Sequence, residues 1–352
     1  MKRFGYLYEK IWAMENIQLA HLNAQRGKKH YKEVRMINSN QEFYLKKIQN
    51  MLKEKIYKTS NYVKMTKKTN CGKVREIYKL PYFPDRIVHH AIMQILRPIW
   101  YKTLIRDTYS SIKGRGIHDG VNRIKKALFD KENTLYCLKF DIKQYYPSIN
   151  NGILKSVIRK RIKDSDVLYL LDEIIDSVQG VPIGNYLSQY FGNLYLSEYD
   201  HWAKEEMGIK YYFRYCDDIV ILHKDKKFLH EIRKQSEEYL SESRQLQIKN
   251  NWQVFPVADR GIDFLGYRFY HNYVLLRRSV ATSFKQKIKN LIRNWEYINT
   301  IQAVSMVMSY IGWIKYANCK NLLRSLIGKD IFWIIKTKCK DSNINNPLQG
   351  IV

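Results

Sequence analysis

Tyr211-Tyr-Phe-Arg-Tyr215-Cys216-Asp217-Asp218-Ile-Val-Ile-Leu222 sets two adjacent carboxylates between an aromatic run and an apolar run. The pattern predicts strand, tight turn, strand, with Asp217 and Asp218 at the turn. Neighbouring acids between core strands repel each other, and burial penalises both charges. A cation offsets that cost. A third carboxylate, Asp141, closes the short apolar segment of Leu138-Lys-Phe140-Asp141-Ile142-Lys-Gln144-Tyr145-Tyr146-Pro147. If the two segments are neighbouring strands, three acids meet at one edge of a sheet. Hard oxygen ligands of this kind suit Mg²⁺, which keeps open positions for substrate phosphates.

The chain around this motif has 352 residues, enough for two or three domains with a sizeable core. Hydrophobic residues make up 45%, which argues for a globular protein. Lys and Arg number 61 against 33 Asp and Glu, a net charge of +28 spread along the whole chain. Such an excess favours a polyanionic partner, nucleic acid first. The bland alternatives are solubility, or a host genome rich in lysine codons. The 28 tyrosines among these lysines suit stacking on bases as well as core packing. The five cysteines (Cys71, Cys137, Cys216, Cys319, Cys339) are odd in number and show no C-x-x-C spacing. That points to a reducing compartment and away from a disulfide framework or zinc site. The opening Met1-Lys-Arg-Phe-Gly-Tyr lacks the apolar core of a signal peptide, and no run of about 18 apolar residues occurs. A cytoplasmic protein without membrane association is expected.

Taken in order, residues 5–25 and 40–55 read as helices, and 56–80 as a basic hairpin turning at Lys67-Lys68-Thr69-Asn70-Cys71-Gly72. Lys64, Lys67, Lys68, Lys73 and Arg75 crowd its tip, where they can grip a phosphate chain or simply face solvent. Pro84 and Asp85 open a helix to Trp100, with His89 and His90 as packing or surface residues. Lys113-Gly114-Arg115-Gly116 is a basic loop before a helix near 117–129. A strand over 134–141 ends at Pro147, and Ser148 or Asn150 caps a helical stretch over 150–178. Gln179-Gly180-Val-Pro182-Ile183-Gly184-Asn185-Tyr-Leu-Ser188-Gln189 is a loop whose glycines allow close backbone approach, followed by a helix to about Glu206. Beyond the acidic hairpin come a charged helix over 226–243, short strands over 246–257, and a hairpin at Phe264-Leu265-Gly266-Tyr267. Basic helices follow from about 280, carrying Phe284, Ile288, Leu291 and Trp295. No repeat and no long linker is visible.

These blocks together resemble a reverse transcriptase from about residue 60 to 270. Tyr215-Cys216-Asp217-Asp218 matches the family's Y-x-D-D box, and Phe140-Asp141-Ile142 through Ile149 resembles its first acidic motif. Residues 179–189 resemble the glycine-rich block under the nascent base pair, and Phe264 to Tyr267 resembles the primer-grip block. The resemblance implies an α+β right-hand polymerase with an antiparallel palm sheet. Its domains would be a helical extension over 1–55, fingers over 56–133, palm over 134–275 with an insertion near 150–185, and helical thumb over 276–352. It implies an RNA-directed DNA polymerase, a nucleotidyltransferase, using two Mg²⁺ ions and dNTP substrates. Asp141, Asp217 and Asp218 would be catalytic and hold metal, joined by Ile142. Lys64, Lys73, Arg75, Gln144, Tyr145, Tyr146, Ile183, Gly184 and Lys249 would line the dNTP. Tyr146 would exclude a ribose 2′ hydroxyl, and Lys249 would give pyrophosphate a proton. Ser188, Gln189, Tyr215, Phe264, Leu265, Gly266 and Tyr267 would meet template or primer.

One departure narrows the resemblance. Many reverse transcriptases carry Gln-Gly-x-x-x-Ser-Pro where this chain has Ile183-Gly184-Asn185-Tyr186-Leu187-Ser188-Gln189. That variant is similar to the enzymes of diversity-generating retroelements, which copy a template RNA with errors at adenines. Losing a side chain that hydrogen-bonds near the incoming nucleotide loosens discrimination between pairs. The resemblance implies template RNA and cDNA as partners, an accessory basic protein, and a bacterial or phage origin. Three alternatives stand beside it: an antiviral-defence reverse transcriptase, an inactive palm-fold RNA-binding scaffold, and a nucleotide cyclase.

Overall fold

A computed structural model of the chain describes residues 2–68, 74–294 and 297–326. Lys73, the turn over 69–72 with Cys71, and Trp295 and Cys339 lie outside the described residues. The chain divides into two compact units: residues 1–116, 139–221 and 230–253 in one, and 117–138, 222–229 and 254–352 in the other.

The first unit opens with four helices, Tyr8–Trp12, Met14–Ala24, Lys32–Ser39 and Gln41–Lys53. The helix expected over 5–25 is two helices, broken at Ala13, whose ψ of 135° is extended. Each buries one stripe, including Ile11, Ile17, Ile37, Leu45 and Ile48. Helix Met14–Ala24 packs on helix Ile87–Tyr101. Burying an aliphatic side chain of this size is worth roughly 1.5–3 kcal/mol, so these stripes decide which faces meet. His89 and His90 are both buried in the second of these helices, as packing residues.

The basic hairpin consists of β1 (Val63–Lys68) and β2 (Val74–Lys79), antiparallel with Lys67 opposite Arg75 and Lys64 opposite Tyr78. A five-stranded sheet follows, built from β3 (Thr108–Tyr109), β4 (Tyr136–Asp141), β5 (Tyr211–Tyr215), β6 (Asp218–His223) and β7 (Gln253–Pro256). Its order is β3-β5-β6-β4-β7, so the strand ending in Asp141 is the hydrogen-bonded neighbour of the strand beginning with Asp218. The expectation of an antiparallel sheet needs one correction: β3 runs parallel to β5. It arrives from helix Ile87–Tyr101 and so needs no hairpin with its partner. The helical stretch over 150–178 is two helices, Asn151–Arg159 and Ser165–Asp176. Asn150 caps the first, accepting from the Ile153 amide at 3.1 Å, and Asp164 caps the second, accepting from Val167 at 3.2 Å. The helix expected to run to Glu206 is a chain of three segments, Ser188–Tyr195, Ser197–His201 and Trp202–Glu206.

The second unit contains helix Ile117–Leu128 and an antiparallel meander of β8 (Ile262–Phe264), β9 (Tyr267–Phe269) and β10 (Val274–Leu276). Helices Arg278–Arg293 and Thr300–Ile314 pack on each other through Phe284, stacked on Tyr310 with ring centres 4.4 Å apart. Among the described residues no helix is long and apolar enough to cross a membrane.

Candidate active site

The acidic cluster is assembled by main chain before side chains matter. The Ile142 amide donates to the Asp217 carbonyl at 3.3 Å, the Lys143 amide to Gln247 at 2.8 Å, and the Lys249 amide to Asp141 at 2.9 Å. Ile142 is fully buried and bridges Ile248 in antiparallel fashion. Three segments far apart in sequence are thereby zipped together at the sheet end.

The turn itself carries a conformational cost. Cys216 has φ 55°, a left-handed value that normally belongs to glycine. A positive φ at the first turn position alone is the II′ geometry that matches strand twist. For a residue with a Cβ this costs about 1 kcal/mol. The structure also shifts one acid: Asp217 occupies the turn, whereas Asp218 is already the first residue of β6.

Burial raises the pKa of Asp217, and the charge of Asp141 adds to it, while Lys249 and Arg75 pull the other way. Asp218 is pushed up to about 7, first by burial and then by Asp141 and Asp217, against the opposing charge of Lys139. Lys139 Nζ lies 3.4 Å from Asp218 Oδ1, near enough for an ion pair. Lys249 Nζ stands 4.0 Å from Asp141 Oδ2. Among the described residues no three His, Cys, Asp or Glu side chains form a group that could hold a metal ion. Two adjacent half-buried carboxylates whose pKa values are raised fit a divalent cation in their donor chemistry.

Around the acids, Gln144 is exposed with φ 44° and starts the turn Tyr145–Ser148. Tyr145 is buried and donates to the Gly192 carbonyl. Tyr146 points its hydroxyl at Cys216 Sγ, 3.8 Å away. Both rings lie over Gly192, where a Cβ would come within 3.1 Å of Tyr146 and 3.4 Å of Tyr145. Gly184 has φ +117°, and a Cβ there would sit 2.8 Å from both Ile77 Cγ2 and the Tyr78 carbonyl oxygen. The missing side chain lets the glycine-rich loop join the basic hairpin, through the Tyr78 amide on the Ile183 carbonyl at 2.7 Å.

The other expected site residues differ in burial and partners. Lys64 shares a face with Tyr78, its ammonium 5.4 Å from that ring. Directly opposed residues share a face and neighbours alternate, so Arg75 shares its face with Lys67 and not with Lys64. Lys73 lies outside the described residues. Ser188 is buried and gives its hydroxyl to the Pro182 carbonyl, whereas Gln189 is exposed and bonded to Ser111. Half-buried Tyr215 pairs with Tyr109 in the parallel edge. In the second unit, Leu265 and Gly266 have φ 53° and 84°, a two-residue turn with Phe264 and Tyr267 fully buried on either side. A Cβ on Gly266 would meet Trp313 at 2.5 Å, and the Tyr267 hydroxyl donates to the Trp313 carbonyl at 2.9 Å. The block packs against Trp313 within its own unit.

Sequence reasoning missed Lys139, Gly192 and Arg214. Lys139 was findable, because it stands two residues before Asp141 and a strand puts both on one face. Gly192 sits inside a helix, where nothing local marks the rings above it.

Acids that repel one another, kept half-buried at a sheet end with lysines close by, have the chemistry that nucleotidyl transfer uses. The chain belongs to the reverse transcriptase (RNA-dependent DNA polymerase) family, whose model matches residues 65–269, more than half of its length. It is on that ground an RNA-directed DNA polymerase. It is similar to Protein YkfC of Escherichia coli K12, 24% identical over 266 residues, covering 62% of this chain and 70% of that protein. It is 26% identical over 103 residues to the mitochondrial nuclear intron maturase 1 of Arabidopsis thaliana, covering 29% of this chain and 14% of the relative. Among solved structures, apo telomerase from Candida tropicalis matches with TM-score 0.49 and 13% identity, over 82% of this chain and 64% of that one. Telomerase from Candida albicans in complex with a telomeric RNA fragment also matches with TM-score 0.49, over 83% of this chain and 62% of that one.

Proposed function

We propose that this enzyme copies a template RNA into cDNA for a diversity-generating retroelement, with errors concentrated at template adenines. The observation that carries the subclass is Ile183 with Gln189 in place of a glutamine and a proline in the glycine-rich block. Ile183 offers an aliphatic side chain beside Gly184, and its carbonyl is spent on Tyr78. No side-chain hydrogen bond from that position can discriminate the incoming pair.

In this reading Asp141, Asp217 and Asp218, with the Ile142 main chain, hold two Mg²⁺ ions. Bound there, Mg²⁺ acidifies the primer 3′ hydroxyl and neutralises charge on the triphosphate. The 3′ hydroxyl gives its proton to solvent, its oxygen bonds the α-phosphorus, the bond to the bridging oxygen breaks, and pyrophosphate leaves. Lys249 supplies a proton to the leaving group. Lys67 and Arg75, like charges on one face, repel until a triphosphate lies against them. Gln144, Tyr145 and Gly184 line the nucleotide, and Tyr146 closes the space a 2′ hydroxyl would need. Residues 56–133 serve as fingers, 134–275 as palm with the 264–267 block toward the primer, and 276–352 as thumb; Ser188 shapes the template side, where Gln189 and Tyr215 are presented. An accessory basic protein joins the polymerase and its RNA, in a bacterial or phage setting.

The test is primer extension on RNA followed by sequencing of the cDNA. Misincorporation concentrated at template adenines is expected. Errors spread evenly over the four template bases would remove the subclass and leave the polymerase.

A further inference from the structure

Arg214 stands one residue before Tyr215 on β5, and its side chain and that of Asp200 are both fully buried. Its guanidinium has five N–H donors, and five partners surround it. Nε donates to Asp200 Oδ1 at 2.7 Å, and Nη2 to Asp200 Oδ2 at 2.6 Å and to the Asn193 carbonyl at 3.2 Å. Nη1 reaches Asn193 Oδ1 at 3.5 Å and the Cys216 carbonyl at 3.0 Å. Asp200 is just as fully used, accepting in addition from Tyr212 at 2.6 Å and Thr108 at 3.2 Å.

A buried ion pair is a poor device for stability alone, since apolar residues of like volume fill the same space without the desolvation cost. An apolar pair cannot, however, donate to the Cys216 carbonyl. That carbonyl lies in the same planar peptide as the Asp217 amide, so fixing it fixes the direction in which Asp217 leaves the turn. The turn needs fixing, because Cys216 is held at φ 55° without being glycine.

We propose that Arg214 is a positioning residue for nucleotidyl transfer: clamped by Asp200, its fifth hydrogen bond fixes the Cys216–Asp217 peptide plane and aims the Asp217 carboxylate. The inference rests on the reading of Asp217 as a metal-holding acid.

The full chain is compared with Arg214→Lys, with the double variant Arg214→Met, Asp200→Leu, and with Asp217→Ala. Lysine keeps the charge beside Asp200 but cannot fork to the Cys216 carbonyl. Arg214→Lys is expected to lose about 10- to 100-fold in kcat on an RNA template with KM for dNTP nearly unchanged, the pattern of lost positioning. Mn²⁺ binding, read by electron paramagnetic resonance without nucleic acid, is expected to weaken several-fold in parallel. The double variant is expected to melt at or above the wild-type temperature and show the same losses. Wild-type kcat and Mn²⁺ affinity in either folded variant would overturn the inference. So would failure of both to fold, which would make the pair a stability element. If Asp217→Ala polymerises like wild type, the metal reading fails and takes this inference with it. If only Asp217→Ala is inactive, the inference alone falls.

Discussion

The amide of Ile142 donates to the carbonyl of Asp217 at 3.3 Å, so the residue after the first acid is hydrogen-bonded to the second. The distance between Asp141 and the acidic turn is set by backbone. Loss of either carboxylate therefore leaves the frame standing. Asp141→Asn and Asp217→Asn are each expected to reduce primer extension by on the order of 10³-fold, with melting temperature kept or raised. Loss of activity through unfolding would contradict this.

Asp218 gives a stability test. Its folded pKa of about 7 lies above the ordinary carboxylate value, so the folded state binds the extra proton. Stability contributed this way is present at low pH and is lost as pH rises from about 4 to about 7. Asp218→Asn removes the penalty. In EDTA at pH 8 the variant should be more stable by about 1–2 kcal/mol, a few degrees in Tm, and at pH 4 the gap should close. Mg²⁺ should narrow it at pH 8 by stabilising the wild type.

His89 and His90 act in the opposite direction. Both are pushed down to about 3, mainly by burial and then by the charge of Arg86. Each Nε2 is buried without a partner, and His90 stacks on Tyr186 with ring centres 3.9 Å apart. Their stabilising neutral form is complete above the unfolded value near 6.5 and is lost as pH falls toward 3. Denaturant titrations should show stability falling by about 1.4 kcal/mol per pH unit for each histidine in that window. His90→Phe keeps a stacked ring, and should halve the slope.

The rings over Gly192 make sugar selection testable. Gly192→Ala would push a methyl to 3.1 Å from Tyr146 Cε1, tighter than ordinary contact. Its kcat/KM for dNTP should fall, by roughly 10-fold. Tyr146→Val opens the same space and should raise ribonucleotide use relative to dNTP by about 10- to 100-fold. Competition between dATP and ATP on one template measures both.

Gly184→Ala should uncouple the basic hairpin from the glycine-rich loop. A left-handed φ and two contacts at 2.8 Å leave no room for the methyl. A stability loss of about 1–3 kcal/mol is expected, with a raised KM for dNTP because Arg75 loses its anchorage. An unchanged KM would show that the hairpin needs no such tether.

Much of this was legible without coordinates. The alternation around Asp217, the apolar run ending in Asp141, and Asn150 as a cap are local patterns, and local patterns survive because strand and helix periods act within a few residues. The break at Ala13 and the split near 160–164 were not legible, since a helix yields to tertiary packing at little cost per residue. The parallel edge pair β3–β5 depends on where a distant helix delivers the chain. Which lysines flank Arg75 depends on hairpin register, and a shift of one residue would exchange Lys64 for Lys67.

The amino-acid order by itself determined that a basic hairpin, a first acid, a glycine-rich loop and a pair of acids follow one another in that succession, and hence the kind of chemistry. Only the tertiary structure decided that Lys139 faces Asp218, that Gly192 lies beneath two tyrosine rings, and that Arg214 spends its last donor on Cys216. The reason is physical. Residue type and spacing dictate local conformation, whereas the partner of a buried polar group is chosen by whatever long-range packing brings within 3 Å, and that choice leaves no periodic trace in the chain.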